Sequence, residues 1–124
     1  MEALGQHVLV ELRSCNSELL DDLPFLEHTM LRAAEETGAT VIGKIFHQFS
    51  PQGVTGVIAI AESHLCIHTW PEFGYAAVDI FTCGENFSPT DAARLIIAAL
   101  ESADSELTEV ERGILAPAAS SIHA

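Results

Sequence analysis

Residues 61–84 read AESHLCIHTWPEFGYAAVDIFTCG. Two runs in this stretch, Ser63 to Trp70 and Tyr75 to Thr82, are rich in β-branched and aromatic residues, and Pro71-Glu72-Phe73-Gly74 between them is turn material. The pattern predicts a β-hairpin. The same stretch also carries Glu62, Ser63, His64, Cys66, His68 and Cys83. A hairpin built only for a core has no use for so many polar groups, because each one buried without a partner costs free energy. Chemistry is the better reason for their presence.

Toward the N-terminus, Thr40 to Phe49 and Val54 to Ala61 have the same strand composition on either side of Ser50-Pro51-Gln52-Gly53. Gln6 to Arg13 alternates around Val8, Val10 and Leu12 as a strand does, and Asn16 to Asp22 is polar turn material. Asp22 reads as an N-cap before Leu23-Pro24, and Leu26, Met30, Ala33 and Ala34 repeat at helical spacing until Gly38 stops the helix. Toward the C-terminus, Ser88-Pro89-Thr90-Asp91 opens a second helix through Ala92, Leu95, Ile96 and Leu100. A last strand is expected over Leu107 to Glu111, and residues 113–124 read as a flexible tail. The order is strand, helix, four strands, helix, strand. Two helices cannot cover both faces of such a sheet, so the expectation is an α+β fold, a two-layer sandwich with an antiparallel sheet and both helices on one face. The bare face then needs a cover, which predicts a homodimer.

A chain of 124 residues fits one domain, and a chain of this size buries roughly two-thirds of its unfolded surface. Eighteen acidic side chains against five Lys plus Arg give a formal charge of −13, which argues against a nucleic-acid partner. Most carboxylates, including Asp21, Asp22, Glu35, Glu36, Glu101, Asp104 and Glu106, read as solvated. Three cysteines cannot all pair within the chain, and no secretory h-region opens the sequence, so a reducing cytoplasm is expected. The longest apolar runs, such as Val57 to Ala61 and Leu95 to Leu100, fall far short of the ~20 residues that span a bilayer, so no membrane partner is expected.

Three chemistries compete for the 61–84 stretch. His64, Cys66 and His68 alternate on one strand face, with Cys83 as a conceivable fourth metal ligand, yet His-x-Cys-x-His lies outside the common zinc spacings; no metal is expected. A thiol nucleophile, Cys83 or Cys66 activated by His68, has the residue types but no supporting pattern, and Cys66 alone is better read as packing. The third option uses Ser63. Its hydroxyl can attack the preceding carbonyl, that of Glu62, and convert amide to ester; elimination then cuts the chain and leaves a pyruvoyl group at the new N-terminus. Such a ketone condenses with a substrate amine and takes up the electron pair released by decarboxylation.

ESHLCIHTWPEFGYAAVDIFTCG, with HQFSPQGVTGV before it and LGQHVLVEL near the start, resembles the bacterial S-adenosylmethionine decarboxylase proenzymes from about Leu4 to Gly84. The resemblance implies an α+β sandwich, self-cleavage at Glu62-Ser63 into residues 1–62 and 63–124 that stay associated, and a covalent pyruvoyl cofactor made from Ser63. It implies that His68 is the proton acceptor in processing and Cys83 the proton donor in decarboxylation. Phe49 falls on the aromatic that stacks on the substrate's adenine, and Glu72 on the carboxylate that binds ribose hydroxyls. His7, Glu11 and His47 are weaker candidates for the site's surroundings.

Two positions depart from the family pattern. Thr55 stands where a processing serine is expected in Gly-Val-Ser-Gly; its hydroxyl can still support the ester intermediate, and its extra methyl slows cleavage if it crowds the site. Cys66 stands where a Thr is common and adds an oxidisable thiol. The expected activity is decarboxylation of S-adenosylmethionine for spermidine synthesis. A pyruvoyl-dependent arginine or ornithine decarboxylase is the nearest alternative, and a non-enzymatic metal or small-ligand binding module is the alternative from another class.

Overall fold

The computed structural model describes residues 3–83 and 86–115. Its elements are β1 (Ala3–Arg13), α1 (Ser17–Leu20), α2 (Leu23–Glu36), β2 (Val41–Gln48), β3 (Val54–Ile60), β4 (Ser63–Trp70), β5 (Tyr75–Thr82), α3 (Pro89–Ala99) and β6 (Asp104–Ile114). A single 3₁₀ turn, Pro71–Phe73, joins β4 to β5. The six strands form one antiparallel sheet in the order β2-β3-β4-β5-β1-β6.

Alternation along the strands makes two unlike faces. Val8, Val10 and Leu12 of β1, Ile58 and Ile60 of β3, Leu65 and Ile67 of β4, and Val78 and Ile80 of β5 are buried on one face. They pack against Leu26, Met30, Ala33 and Ala34 of α2 and Ala92, Ala93 and Ile96 of α3. Both longer helices therefore lie on one face, as the sequence pattern predicts, and the fold is the expected α+β sandwich. The other face, with Leu9, Val57, Ala59, Ala77 and Phe81 half-buried and Ile45 70% exposed, carries no helix among the described residues.

Local signals explain the helix ends. Asp22 accepts from Phe25 N at 3.1 Å, and Ser88 Oγ accepts from Asp91 N at 3.3 Å; such caps contribute about 1 kcal/mol each. The segment expected to be only a polar turn contains α1, because Asn16 Oδ1 accepts from both Glu18 N (3.0 Å) and Leu19 N (3.2 Å) and so starts a helical turn. The last strand is longer than Leu107 to Glu111. It follows β1 from Arg13↔Asp104 to Ala3↔Ile114, with Arg13 on Glu106 at 2.8 Å and Gln6 on Glu109 at 2.6 Å. Gly113 and Ile114, read as the start of the tail, thus belong to β6; residues 116–124 lie outside the described residues.

Gly56 shows why its position takes no side chain. A Cβ there would sit 2.1 Å from the Phe46 ring, which lies across the strand and packs against the core.

Candidate active site

β3 and β4 are joined by the two residues Ala61 and Glu62, with Ile60 paired to Ser63. Glu62 has φ +70°, a left-handed conformation that costs a residue with a Cβ ~1 kcal/mol or more. Its carbonyl oxygen is the focus of two side chains. Ser63 Oγ donates to it, and Cys83 Sγ donates to it at 2.7 Å. Cys83 N in turn donates to Ser63 Oγ at 3.3 Å. A strained residue, a hydroxyl on the following residue and a thiol on the carbonyl oxygen are what an attack of Ser63 on Glu62 requires. A cleft of about 240 Å³ beside this carbonyl, edged by Thr40, Thr82 and Phe87, leaves space next to the bond.

The other predicted residues gather elsewhere. Thr55 and His68 face each other in register across β3 and β4, with Thr55 Oγ1 and His68 Nδ1 3.1 Å apart. They share a second cleft, also about 240 Å³, with Phe49, Gln52, Trp70 and Glu72. Phe49 is 47% exposed at its mouth and packs edge-to-face on His47, ring centroids 4.6 Å apart. Trp70 lies between His68 and Tyr75, with centroids 6.5 and 5.3 Å away.

Five steps along one strand separate Ser63 from His68, a span of roughly 17 Å at ~3.3 Å per residue. One chain therefore holds the residues of the expected site as two half-sites at opposite ends of the β3-β4 hairpin. Glu62, Ser63 and Cys83 make the first, and Phe49, Thr55, His68 and Glu72 the second.

The weaker candidates sit around these halves. Glu11 accepts a hydrogen bond from Tyr75 OH, and that bond, with burial adding to it, pushes the phenol up to about 12. His7 lies against Phe81 in an edge-to-face contact at 6.0 Å, and its Nε2 is buried with no partner among the described residues. Cys66, opposite Asp79 on the bare face, has its thiol pushed up by burial and by that carboxylate, which makes it a poor nucleophile. No three His, Cys, Asp or Glu side chains converge as a metal set among the described residues. His64, Cys66 and His68 share a face, but alternate residues of a strand stand ~6.6 Å apart. Trp70 and Gln52 were not singled out by the sequence; their proximity to Pro71-Glu72 and to Gly53 in the two turns was the only signal available.

The family model for S-adenosylmethionine decarboxylase matches residues 6–113. The S-adenosylmethionine decarboxylase proenzyme of Moorella thermoacetica is 54% identical over 117 residues, 94% of each chain. That of Caldanaerobacter subterraneus is 52% identical over 114 residues, 92% of each chain. Among solved structures, the adenosylmethionine decarboxylase of Aquifex aeolicus superposes with a TM-score of 0.83 at 34% identity, covering 94% of this chain and 96% of that one. With the strained Glu62-Ser63 turn and the ESHLCIHTWPE motif both in place on this fold, the chain belongs to the S-adenosylmethionine decarboxylase family.

Proposed function

We propose that this chain cuts itself between Glu62 and Ser63 and then decarboxylates S-adenosylmethionine, as a homodimer whose two active sites are each assembled from both subunits. The observation that carries the first part is the Glu62 carbonyl, held in a left-handed turn with Ser63 Oγ and Cys83 Sγ on its oxygen.

Ser63 Oγ attacks the Glu62 carbonyl carbon, the C–N bond breaks and the chain becomes an ester. The thiol of Cys83 hydrogen-bonds the oxygen on which negative charge develops. His68, its ring held at Nδ1 by Thr55, accepts the α-proton of Ser63. Glu62 leaves as a carboxylate, and water converts the remaining dehydroalanine to the pyruvoyl end with release of ammonia. Once formed, the pyruvoyl group supplies a carbonyl sink for the electrons of decarboxylation. Departure of Glu62 frees the Cys83 thiol to give its proton to the substrate carbon. Phe49 offers a ring face to the adenine or to the sulfonium cation, the latter contact being worth ~0.5–2 kcal/mol, and Glu72 offers a carboxylate to the ribose hydroxyls.

Two features support the dimer. The ~17 Å between Ser63 and His68 is too far for proton transfer within one chain, and the bare sheet face, onto which Thr55 and His68 alternate, has no helix over it among the described residues. Stacking two such faces ~10 Å apart about a two-fold axis that reverses strand direction brings the Ser63 end of one β4 over the His68 end of the other. A cleft of about 240 Å³ is also small against the ~300–1,000 Å³ usual for ligand pockets, as expected of half a site.

The test is intact mass under denaturing conditions together with ¹⁴CO₂ release from carboxyl-labelled S-adenosylmethionine. Two chains meeting at Glu62 and Ser63, the second lighter by one ammonia than a serine-started peptide, plus label release, are expected. A single uncut chain that releases no label would overturn the reading.

A further inference from the structure

Asp21 belongs to the acidic residues that read as solvated in the sequence, and its exposure alone would leave it there. Its hydrogen bonds do not. Asp21 caps the C-terminus of α1, and its Oδ1 accepts from Gln48 Nε2 at 2.8 Å and from Gly53 N at 2.9 Å, the latter 32 residues away in sequence. Gln48 Nε2 also donates to Gly53 O at 3.1 Å, and the same carbonyl accepts from Phe49 N at 2.8 Å. One carboxylate oxygen thus binds both ends of the β2-β3 turn, and that turn carries Phe49 at the mouth of the Thr55–His68 cleft.

The residue before Asp21 reinforces the clamp. Leu20 O accepts from Thr69 Oγ1 at 2.7 Å, and that hydroxyl oxygen accepts from Val54 N at 2.9 Å, with Thr69 buried. The Leu20-Asp21 segment therefore binds Gln48 at the end of β2, Gly53 just before β3 and Thr69 of β4, and the last two border the cleft. Gly53 sits at φ +106°, where its N–H can turn onto Asp21 and where a residue with a Cβ would be strained. A half-exposed aromatic on a five-residue turn has many orientations open to it, and fixing the turn before a ligand arrives lowers the ordering cost of binding.

We propose that Asp21 is a positioning residue for substrate binding: through Gln48 and Gly53 it fixes the turn that presents Phe49 to the adenosine part of the substrate. The role rests on the reading of Phe49 given above. Asp21 touches no reacting group, so it acts on binding and leaves cleavage and chemistry alone.

The experiment compares Asp21→Ala, Asp21→Asn, Phe49→Ala and the Asp21→Ala/Phe49→Ala pair, each as full-length protein that has processed completely by mass. Two readouts are taken: kcat and KM for S-adenosylmethionine, and the Kd of 5′-methylthioadenosine from the fluorescence of Trp70, the only tryptophan. Asp21→Ala is expected to raise KM and Kd by roughly five- to tenfold with kcat within twofold, as for loss of hydrogen bonds to a charged acceptor. Asp21→Asn keeps an acceptor oxygen and should recover most of the affinity. Adding Asp21→Ala to Phe49→Ala should change neither constant further, since the clamp acts through that ring. Unchanged KM and Kd in Asp21→Ala, or effects of the two substitutions that simply add, would overturn the proposal while leaving Phe49 as a contact. If Phe49→Ala itself leaves both constants unaltered, the role of Phe49 is wrong and Asp21 has nothing to position. Thermal stability is recorded alongside, because a merely structural Asp21 would lower Tm without moving Kd in the folded protein.

Discussion

Thr55 Oγ1 lies 3.1 Å from His68 Nδ1, on adjacent strands and in direct register. A hydroxyl at Nδ1 fixes the imidazole ring and leaves Nε2 for proton transfer. Replacing His68 with Ala should therefore leave the chain uncut or slow its cleavage by roughly 10²-fold or more, the usual loss when a general base is removed. Thr55→Ala should slow it less, and Thr55→Ser should cleave at least as fast as the parent because the methyl group is gone. A time course of intact mass after refolding checks all three.

Half-sites on opposite ends of a hairpin make a prediction that a site contained in one chain does not. A His68→Ala chain keeps Ser63 and Cys83, and a Ser63→Ala chain keeps His68 and Thr55. Co-expressed with different tags, the His68→Ala chain should be cut and the Ser63→Ala chain should not. Cleavage no greater than in His68→Ala alone would place both functions in one subunit.

Processing should also be visible as charge. A new carboxylate on Glu62 with no compensating amine takes the formal charge from −13 to −13 − 1 = −14. Isoelectric focusing should resolve mature protein from a Ser63→Ala precursor, and a Ser63→Ala chain that still broke at this bond would refute serinolysis.

Tyr75 is the only tyrosine, so its ionisation can be followed by absorbance without interference from another phenol. Its phenol is pushed up to about 12 by the hydrogen bond to Glu11, against 10.0 for the free group. The folded pKa is the higher one, so this bond's contribution to stability is fully present below pH 10 and is lost as pH rises through about 12. Titration near 12 in the folded protein is expected, falling back toward 10 in Glu11→Gln. A midpoint near 10 in the parent would mean the bond does not form.

Phe49→Ala and Glu72→Gln should each raise KM for S-adenosylmethionine by roughly tenfold, in keeping with loss of a stacking or charged contact. Neither should create activity on arginine or ornithine. Unchanged KM in both variants would point to a substrate without a nucleoside.

The helix starts, the four-strand run and the two faces of the sheet were legible in the sequence because each depends on residues close together: Asp22 and Ser88 cap their own helices, and period-two alternation marks the faces. The interposition of β1 between β5 and β6 was not, since no local pattern encodes a pairing such as Val8↔Glu109. Nor was Asp21, whose partner Gly53 is brought to it only by the docking of α1. The site residues were named as a set from the family motif, and the structure distributes them over two clusters, because a motif orders residues along the chain and not in space. The distance between Ser63 and His68 follows from strand geometry once both are placed five steps apart on β4.

The strand order has a consequence for the life of the molecule. Residues 1–62 supply β1, β2 and β3, and residues 63–124 supply β4, β5 and β6, so the ladders β3-β4, β5-β1 and β1-β6 each join one half of the chain to the other. A break at Glu62-Ser63 leaves all three ladders standing, and the cut sheet holds as a woven fabric does after one thread is snipped. Once denatured, however, the halves must find each other again. Re-forming the sheet then becomes a second-order reaction that slows on dilution, whereas the uncut chain closes its sheet at a rate independent of concentration. Self-cleavage would thus turn a renewable fold into one assembled a single time.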